Sequence, residues 1–327
     1  MNLIRGLVNK FVSISVLVVS FLYWPSGTVH AAVVGVESQT AKTPSFTNEF
    51  GLSPDVPPGS NFDLLSWKLN TPSDHNNDDK SDHYSERDLA AGFQDERYFY
   101  TANDGGMVFK ATVAGAKTSK NTKFTRTELR EMLRRGNTDI NTKTKTGTPN
   151  LNNWVFSSAP KDAQVEAGAV DGKLRATLAV NHVTTTGHEK QVGRVVIGQI
   201  HAKNDEPIRL YYRKLPNNKY GSIYAAHEPS NGKDTYIDLL GSRASTAKDT
   251  NEGIALNEKF SYEIDAVGNH LRVSISKQGK LLASHTFDMT ASGYDVNNDY
   301  MYFKAGVCIT RTTPVTRMIM FRQPFIN

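Results

Sequence analysis

Three short segments of this 327-residue chain gather side chains that can hold anions and move protons. In the first, Arg126-Thr127-Glu128-Leu129-Arg130-Glu131-Met132, the residues Arg126, Glu128 and Arg130 occupy alternate positions. Alternate side chains share a face of a β-strand, so a strand here sets two guanidinium groups in a row with a carboxylate between them. A guanidinium fork meets a carboxylate at two points. The row is therefore suited to acidic ligands, and Glu128 can hold both arginines in place. Taken alone, the segment fits a charged surface helix equally well, although that helix would set Arg126 and Arg130 four apart as a like-charged pair.

The second segment is Val195-Val196-Ile197-Gly198-Gln199-Ile200-His201. Gln199 and His201 share a face, with Ile200 on the core side. Histidine is the side chain best suited to proton transfer near neutral pH. A strand-end histidine that only meets solvent is the commoner case, and the other eight histidines, among them His75, His83, His182 and His285, are for the most part assigned to loops of that kind. In the third segment, Tyr300-Met301-Tyr302-Phe303-Lys304-Ala305-Gly306-Val307, Tyr302 and Lys304 share a face and Phe303 packs behind them. A tyrosine beside a cation can have its pKa lowered and serve as acid or base, whereas an ordinary aromatic strand is the better reading of such a segment in isolation.

The elements that must position these groups are strands. Short β-branched or aromatic runs at 173–180, 194–201, 208–212, 235–239, 260–267, 270–277 and 300–307 alternate with turns such as Asp171-Gly172, Gly268-Asn269 and Gln278-Gly279. That spacing predicts an all-β sandwich or jelly roll. The first strand is expected at 62–69, further strands around a turn at 98–110, and long polar loops at 70–88 and 138–153. The N-terminus has the layout of a secretory signal peptide: Arg5 and Lys10, an apolar run from Phe11 to Trp24, then Pro25, Gly27 and small residues before a cleavage expected after Ala31. The run is short for a membrane span, which needs about 20 apolar residues. Residues 1–31 are thus read as signal peptide, 32–60 as a linker or extended arm and 61–327 as one catalytic domain, secreted or periplasmic and monomeric. With a single cysteine, Cys308, the fold has no internal disulfide and rests on its core. The formal net charge of +5 falls to +3 without Arg5 and Lys10, since 36 Lys and Arg then face 33 Asp and Glu. So mild an excess does not call for nucleic acid, and a secreted protein more often meets acidic glycans.

Taken together and in this order, the three segments resemble the motifs of alginate lyases of polysaccharide lyase family 7: Arg-(Thr/Ser)-Glu-(Leu/Val)-Arg at 126–130, Gln-(Ile/Val)-His at 199–201 and Tyr-Phe-Lys-Ala-Gly at 302–306. The resemblance runs from about Phe62 to the C-terminus. It implies a β-jelly roll of two antiparallel sheets whose concave cleft is lined by the motifs. It also implies alginate as partner, cleaved by β-elimination at the C4–O bond. On that footing Gln199 and Arg126 neutralise the uronate carboxylate with help from Arg130. His201 is the base for guluronate and Tyr302 the acid, or both acid and base for mannuronate. Glu128 organises the arginines, and Lys304 tunes Tyr302 or binds a neighbouring carboxylate. Members often continue the last motif as Val-Tyr-Asn-Gln, where this chain has Val307-Cys308-Ile309-Thr310, so sugar contacts are not carried over to Cys308 and Thr310. Gln-Ile-His tends to accompany guluronate-containing substrates.

No metal or organic cofactor is required. Asp74-His75-Asn76-Asn77-Asp78-Asp79 begins like a calcium loop but lacks the glycine expected at its sixth position and displaces the final glutamate to Glu86, so it is taken as a solvated loop. Two rivals are weighed. A sandwich-fold glycoside hydrolase would use Glu263 and Asp265, but its third acid falls on Gly268. A non-catalytic acidic-glycan-binding module explains Arg126 and Lys304 without needing His201 and Tyr302.

Overall fold

The computed structural model describes residues 49–142, 149–309 and 316–325. The proposed signal peptide, most of the N-terminal arm and part of the 138–153 loop lie outside the described residues. Among the described residues no helix is long and apolar enough to cross a membrane.

Two antiparallel sheets form a β-jelly roll sandwich. The first has the strand order β12 (Thr235–Leu240), β11 (Tyr220–His227), β10 (Ile208–Arg213), β9 (Arg194–His201), β17 (Tyr302–Ile309), β5 (Arg126–Glu131), β1 (Trp67–Asn70) and β2 (His83–Tyr84), with β13 (Ile254–Ala255) joined to β11. The second runs β16 (Lys280–Asp288), β15 (His270–Lys277), β14 (Phe260–Val267), β8 (Gly172–His182), β18 (Thr316–Phe325), β4 (Met107–Ala111) and β3 (Phe99–Thr101). A short parallel pair, β6 (Asn150–Val155) with β7 (Ala167–Val170), stands apart.

Period-2 burial explains why these segments are strands. In β14 the burial alternates along the whole strand: Phe260, Tyr262, Ile264 and Ala266 are buried and the residues between them face outward. These side chains meet Leu129, Ile197, Ile200, Leu210, Tyr212 and Phe303 of the first sheet in one core. Trp154 lies against Phe303, with ring centroids 5.0 Å apart. Each fully buried aromatic or aliphatic side chain contributes about 1.5–3 kcal/mol. Alternation then leaves Arg126, Glu128, Arg130, Gln199, His201, Tyr302 and Lys304 on the outer face of the first sheet.

Several boundaries differ from the sequence expectation. The predicted strand at 62–69 is a strand only over β1. Asp63 accepts the Leu65 N–H at 3.2 Å and caps a 3-10 turn at Leu64–Ser66, and Pro57 and Pro58 open a short helix, α1 (Pro58–Asn61). The predicted 70–88 loop contains β2 and the start of α2 (Glu86–Ala90), whose first turn is fixed by a reciprocal Ser85–Asp88 capping box. The 138–153 loop ends inside β6, and α3 (Lys161–Glu166) follows it. His83, His182, His227 and His285 lie in strands rather than loops, and His270 opens the strand expected at 270–277. β2 is a two-residue polar run at the sheet edge and carries no apolar alternation to read.

Candidate active site

Strands β9, β17 and β5 are neighbours near the middle of the first sheet, and their register turns three distant segments into one constellation. Tyr302 pairs with His201, Lys304 with both Gln199 and Arg130, Gly306 with Glu128, and Cys308 with Arg126. Phe303, Ile200 and Leu129, all fully buried, anchor the three strands from behind. Two glycines make the fit possible. A Cβ at Gly306, whose φ is +138°, would stand 2.6 Å from the Thr127 carbonyl oxygen and 2.9 Å from the Glu128 Cα. There β17 bulges and presses directly on the strand that carries Glu128. A Cβ at Gly198 would stand 2.5 Å from the Tyr262 hydroxyl, which donates to the Ile197 carbonyl at 3.0 Å and props the Gln-Ile-His strand from the opposite sheet.

Glu128 is the hub. It is 2 % exposed and accepts three donors: Gln199 Nε2 at 2.5 Å, Lys304 Nζ at 2.6 Å and Arg126 Nη1 at 3.1 Å. Burial alone would push its carboxyl up, but the Lys304 and Arg126 charges and the Lys304 and Gln199 hydrogen bonds hold it below the ordinary value. The arrangement revises one expectation. Arg130 is not held by Glu128: its Nη2 donates to Asn153 Oδ1 at 3.1 Å and its guanidinium covers the Tyr302 ring, 4.1 Å from the centroid. The Lys304 ammonium lies on the Glu128 carboxylate, where its charge offsets the cost of burying that group. Arg126 keeps a buried Nε with no partner.

His201 and Tyr302 stack face to face, ring centroids 5.1 Å apart and planes within 8°. His201 Nδ1 lies 2.5 Å from the Ala202 carbonyl oxygen. A carbonyl only accepts, so Nδ1 carries the hydrogen, and Nε2 holds the lone pair in the neutral ring. Burial lowers the His201 pKa and Lys304 adds to the effect, against Glu206, the Ala202 carbonyl and Glu128. The imidazole is thus biased toward the neutral form that can accept a proton.

Beyond His201 lie groups the motif reading did not reach. Glu206 Oε1 is 3.5 Å from His201 Nε2. Arg209 Nη1 is 3.4 Å from Glu206, while its Nη2 is 3.1 Å from Glu228 and bonded to Asp234. Burial, with Glu206 and Asp234 nearby and Arg209 in opposition, pushes the Glu228 carboxyl up to about 7. Behind the floor, Glu131 is fully buried and accepts the Trp154 Nε1–H at 3.1 Å and the Phe303 N–H at 2.9 Å. The alternation of Arg209 with Tyr211 on β10 was the available signal for the first group. Nothing local marks Asn153, which reaches Arg130 from a segment expected to be loop.

At the opposite end of the same face a cavity of about 380 Å³ is lined by Lys190, Arg194, Arg213, Arg243, Tyr224 and Tyr236, with no carboxylate among its lining residues. Arg213 is buried and donates to the carbonyls of Val192, Arg243 and Glu189, tying two loops together. Glu263 and Asp265, the acids of the hydrolase alternative, lie on β14 of the other sheet, ion-paired with Arg175 and Lys173. A group engaged in that way offers no pair of free carboxyls for hydrolysis.

Residues 62–317 match the model of a protein family described as alginate lyase. The chain is 51 % identical over 259 residues to an alginate lyase of Klebsiella pneumoniae, covering 76 % of this chain and 83 % of that one. The crystal structure of the alginate lyase from Klebsiella pneumoniae superposes with a TM-score of 0.79 at 48 % identity, over 83 % of this chain and 98 % of that chain. Alginate lyase A1-II', a member of polysaccharide lyase family 7, shares the fold at 20 % identity with a TM-score of 0.57, over 83 % and 97 % of the two chains.

Proposed function

The chain belongs to the alginate lyase family and is a polysaccharide lyase, and from that premise we propose that it breaks the 1,4 bond of guluronate-containing alginate by β-elimination with His201 as base and Tyr302 as acid. The observation that carries the assignment is the stacked His201–Tyr302 pair set beside Gln199 and Arg126, which share one buried carboxylate. Two proton-transfer groups and two anion-binding donors thereby face one small volume.

The chemistry follows from those groups. The C5 proton of a uronate is only weakly acidic. Donors aimed at the C5 carboxylate let the negative charge that develops at C5 spread onto its oxygens. Gln199 keeps a second amide hydrogen, and Arg126 keeps donors beyond the one spent on Glu128, so both can serve there. His201 Nε2 takes the C5 proton. The electron pair of the broken C5–H bond becomes the C4–C5 double bond as the C4–O bond breaks, and Tyr302 gives its proton to the departing oxygen. In guluronate the C5 hydrogen and the C4 oxygen lie on opposite ring faces, which suits two separate groups. In mannuronate they lie on the same side, where Tyr302 can act as both base and acid.

The guluronate preference rests on Ile200. Its side chain is fully buried, so it acts by setting the height of Gln199 and His201 against the sugar. Secretion is part of the same reading, because a polysaccharide is met outside the cytoplasm and residues 1–31 have the layout of a signal peptide.

The test is absorbance. A lyase creates a double bond conjugated to the carboxylate, which absorbs in the ultraviolet, on polyguluronate, polymannuronate and pectin assayed separately. The proposal expects the highest initial rate on polyguluronate or mixed blocks and a shift toward polymannuronate in Ile200→Val. Strict preference of the wild type for polymannuronate refutes the guluronate assignment, and reducing ends without absorbance refute elimination.

A further inference from the structure

We propose that Glu206, held in place by Arg209, is a positioning residue for His201: it steadies the imidazole and neutralises the imidazolium that forms when Nε2 takes the C5 proton. The inference rests on the lyase reading above and adds a residue to it.

Geometry carries the argument. His201 has its Nδ1 hydrogen engaged by the Ala202 carbonyl, so the proton removed from the sugar must arrive at Nε2. The carboxylate nearest to that nitrogen is Glu206, at 3.5 Å. In the resting, neutral ring Nε2 stands 3.5 Å from a carboxylate oxygen, and neither donates. Once C5–H has broken and Nε2–H has formed, the same two groups attract each other as imidazolium and carboxylate. The interaction is stronger after proton transfer than before, and only such interactions accelerate the step. When the product leaves, Nε2 returns its proton to water as the Tyr302 phenolate takes one up.

The surroundings are arranged to keep Glu206 in this role. His201 is faced by Tyr302 and Lys304 from β17, by Glu128 from β5, and by Glu206 from the turn that follows β9. Lys304 opposes a positive charge on the ring, and its ammonium is bound to Glu128, so Glu206 is the carboxylate left to offset it. Arg209 touches three carboxylates, Glu206, Glu228 and Asp234. One cation among three acids leaves a surplus of negative charge, and Glu228, pushed up to about 7, takes up part of it by protonation. Glu228 thus takes up part of the surplus beside Arg209, and Glu206 is left facing His201 Nε2 at 3.5 Å.

The experiment uses Glu206→Gln and Glu206→Asp in the full chain, with pH–rate profiles on polyguluronate and an NMR titration of His201. Glu206 raises the His201 pKa, so its neutral replacement must lower it. The Gln variant is expected to lose at least about tenfold in kcat with KM changed less than about twofold. Its acid limb and the His201 titration both move to lower pH, and Glu206→Asp recovers part of the rate. A Gln variant with wild-type kcat and an unmoved acid limb overturns the proposal. So does a loss confined to KM, or a fall in melting temperature with no change in rate per folded molecule. The titration reads the Glu206–His201 coupling without turnover: an unmoved His201 titration refutes the coupling, whereas a wild type that produces no ultraviolet-absorbing product refutes the lyase reading instead.

Discussion

Replacing Glu131 by glutamine should make the protein more stable in alkali and leave it unchanged in acid. Glu131 is fully buried beneath the floor of the site, where Trp154 Nε1–H and the Phe303 N–H both donate to its Oε2 while Oε1 has no partner. Burial outweighs those two bonds and the more distant Arg130 charge, and the carboxyl is carried from its ordinary 4.5 up to about 7. At about 1.4 kcal/mol per pH unit, that displacement of about 2.5 amounts to about 3–4 kcal/mol. Below pH 4.5 folded and unfolded chains both hold the proton. Between 4.5 and 7 the unfolded chain releases it first, so stability falls as pH rises. Above 7 both states are ionised and the full cost persists. Glutamine keeps the shape and the acceptor for Trp154 and Phe303 but cannot ionise. The difference in melting temperature between Glu131→Gln and wild type should therefore be near zero at pH 4 and widen through pH 7. It should then level off, at roughly 2–4 °C per kcal/mol for a domain of this size. Thermal melts at half-unit pH intervals decide the matter. A difference that is constant with pH, or one that shrinks toward alkali, refutes the reasoning.

Tyr302→Phe and His201→Ala should each lose about 10²-fold or more in kcat, the usual scale of general acid–base catalysis, with unchanged circular dichroism; near wild-type rates for Tyr302→Phe on both homopolymers would remove the acid assignment. Arg126→Lys keeps the charge beside Glu128 but loses the planar fork, so turnover should fall about tenfold while the melting temperature shifts little; an unchanged rate with a lower melting point would make the residue structural. Cys308→Tyr sets a phenol beside Arg126 in the row where related enzymes often carry tyrosine, and is expected to lower KM for polymeric alginate. An unchanged KM in a folded variant would show that position to lie off the sugar's path.

Strands β9 and β17 were legible because each has an apolar partner face, whereas β5 sets Thr127 and Glu131 beside Leu129 on that side and reads equally well as a helix. Ile200 behind Gln199 and His201, and Phe303 behind Tyr302 and Lys304, announce both the strand and the side on which the polar groups stand. Strands β9, β14 and β15 run over the expected residues for the same reason. What the spacing could not convey is who pairs with whom across strands. Glu128 fits between two arginines on its own strand, yet register sets it opposite Gly306, and the bulge there brings Lys304 and Gln199 onto it in place of Arg130. Glu206, Glu228 and Asp234 come from the turn after β9, the end of β11 and the turn before β12, and only the closing of the sheet gathers them round Arg209.

That gathering has a counterpart at the far end of β9. From Arg194 to His201 the strand covers eight residues, seven steps of about 3.3 Å or roughly 23 Å. At one end stand Lys190, Arg194, Arg213 and Arg243 with no acid in the cavity they line, and at the other end three carboxylates surround a single arginine. The open face is therefore a slope of electrical potential with the reacting groups on its way down. A polyanion drifting toward it is drawn to the cationic end and repelled from the acidic one, which orients the chain before any sugar touches His201. Steering of this kind acts through solvent and fades over a Debye length of about 8 Å at physiological ionic strength. The chemistry around the buried Glu128 is sheltered from those ions. Added salt should accordingly slow capture, read as a rising KM, well before it slows the cleavage of polymer already bound. A kcat that falls in step with capture would place the reacting groups in contact with bulk electrolyte.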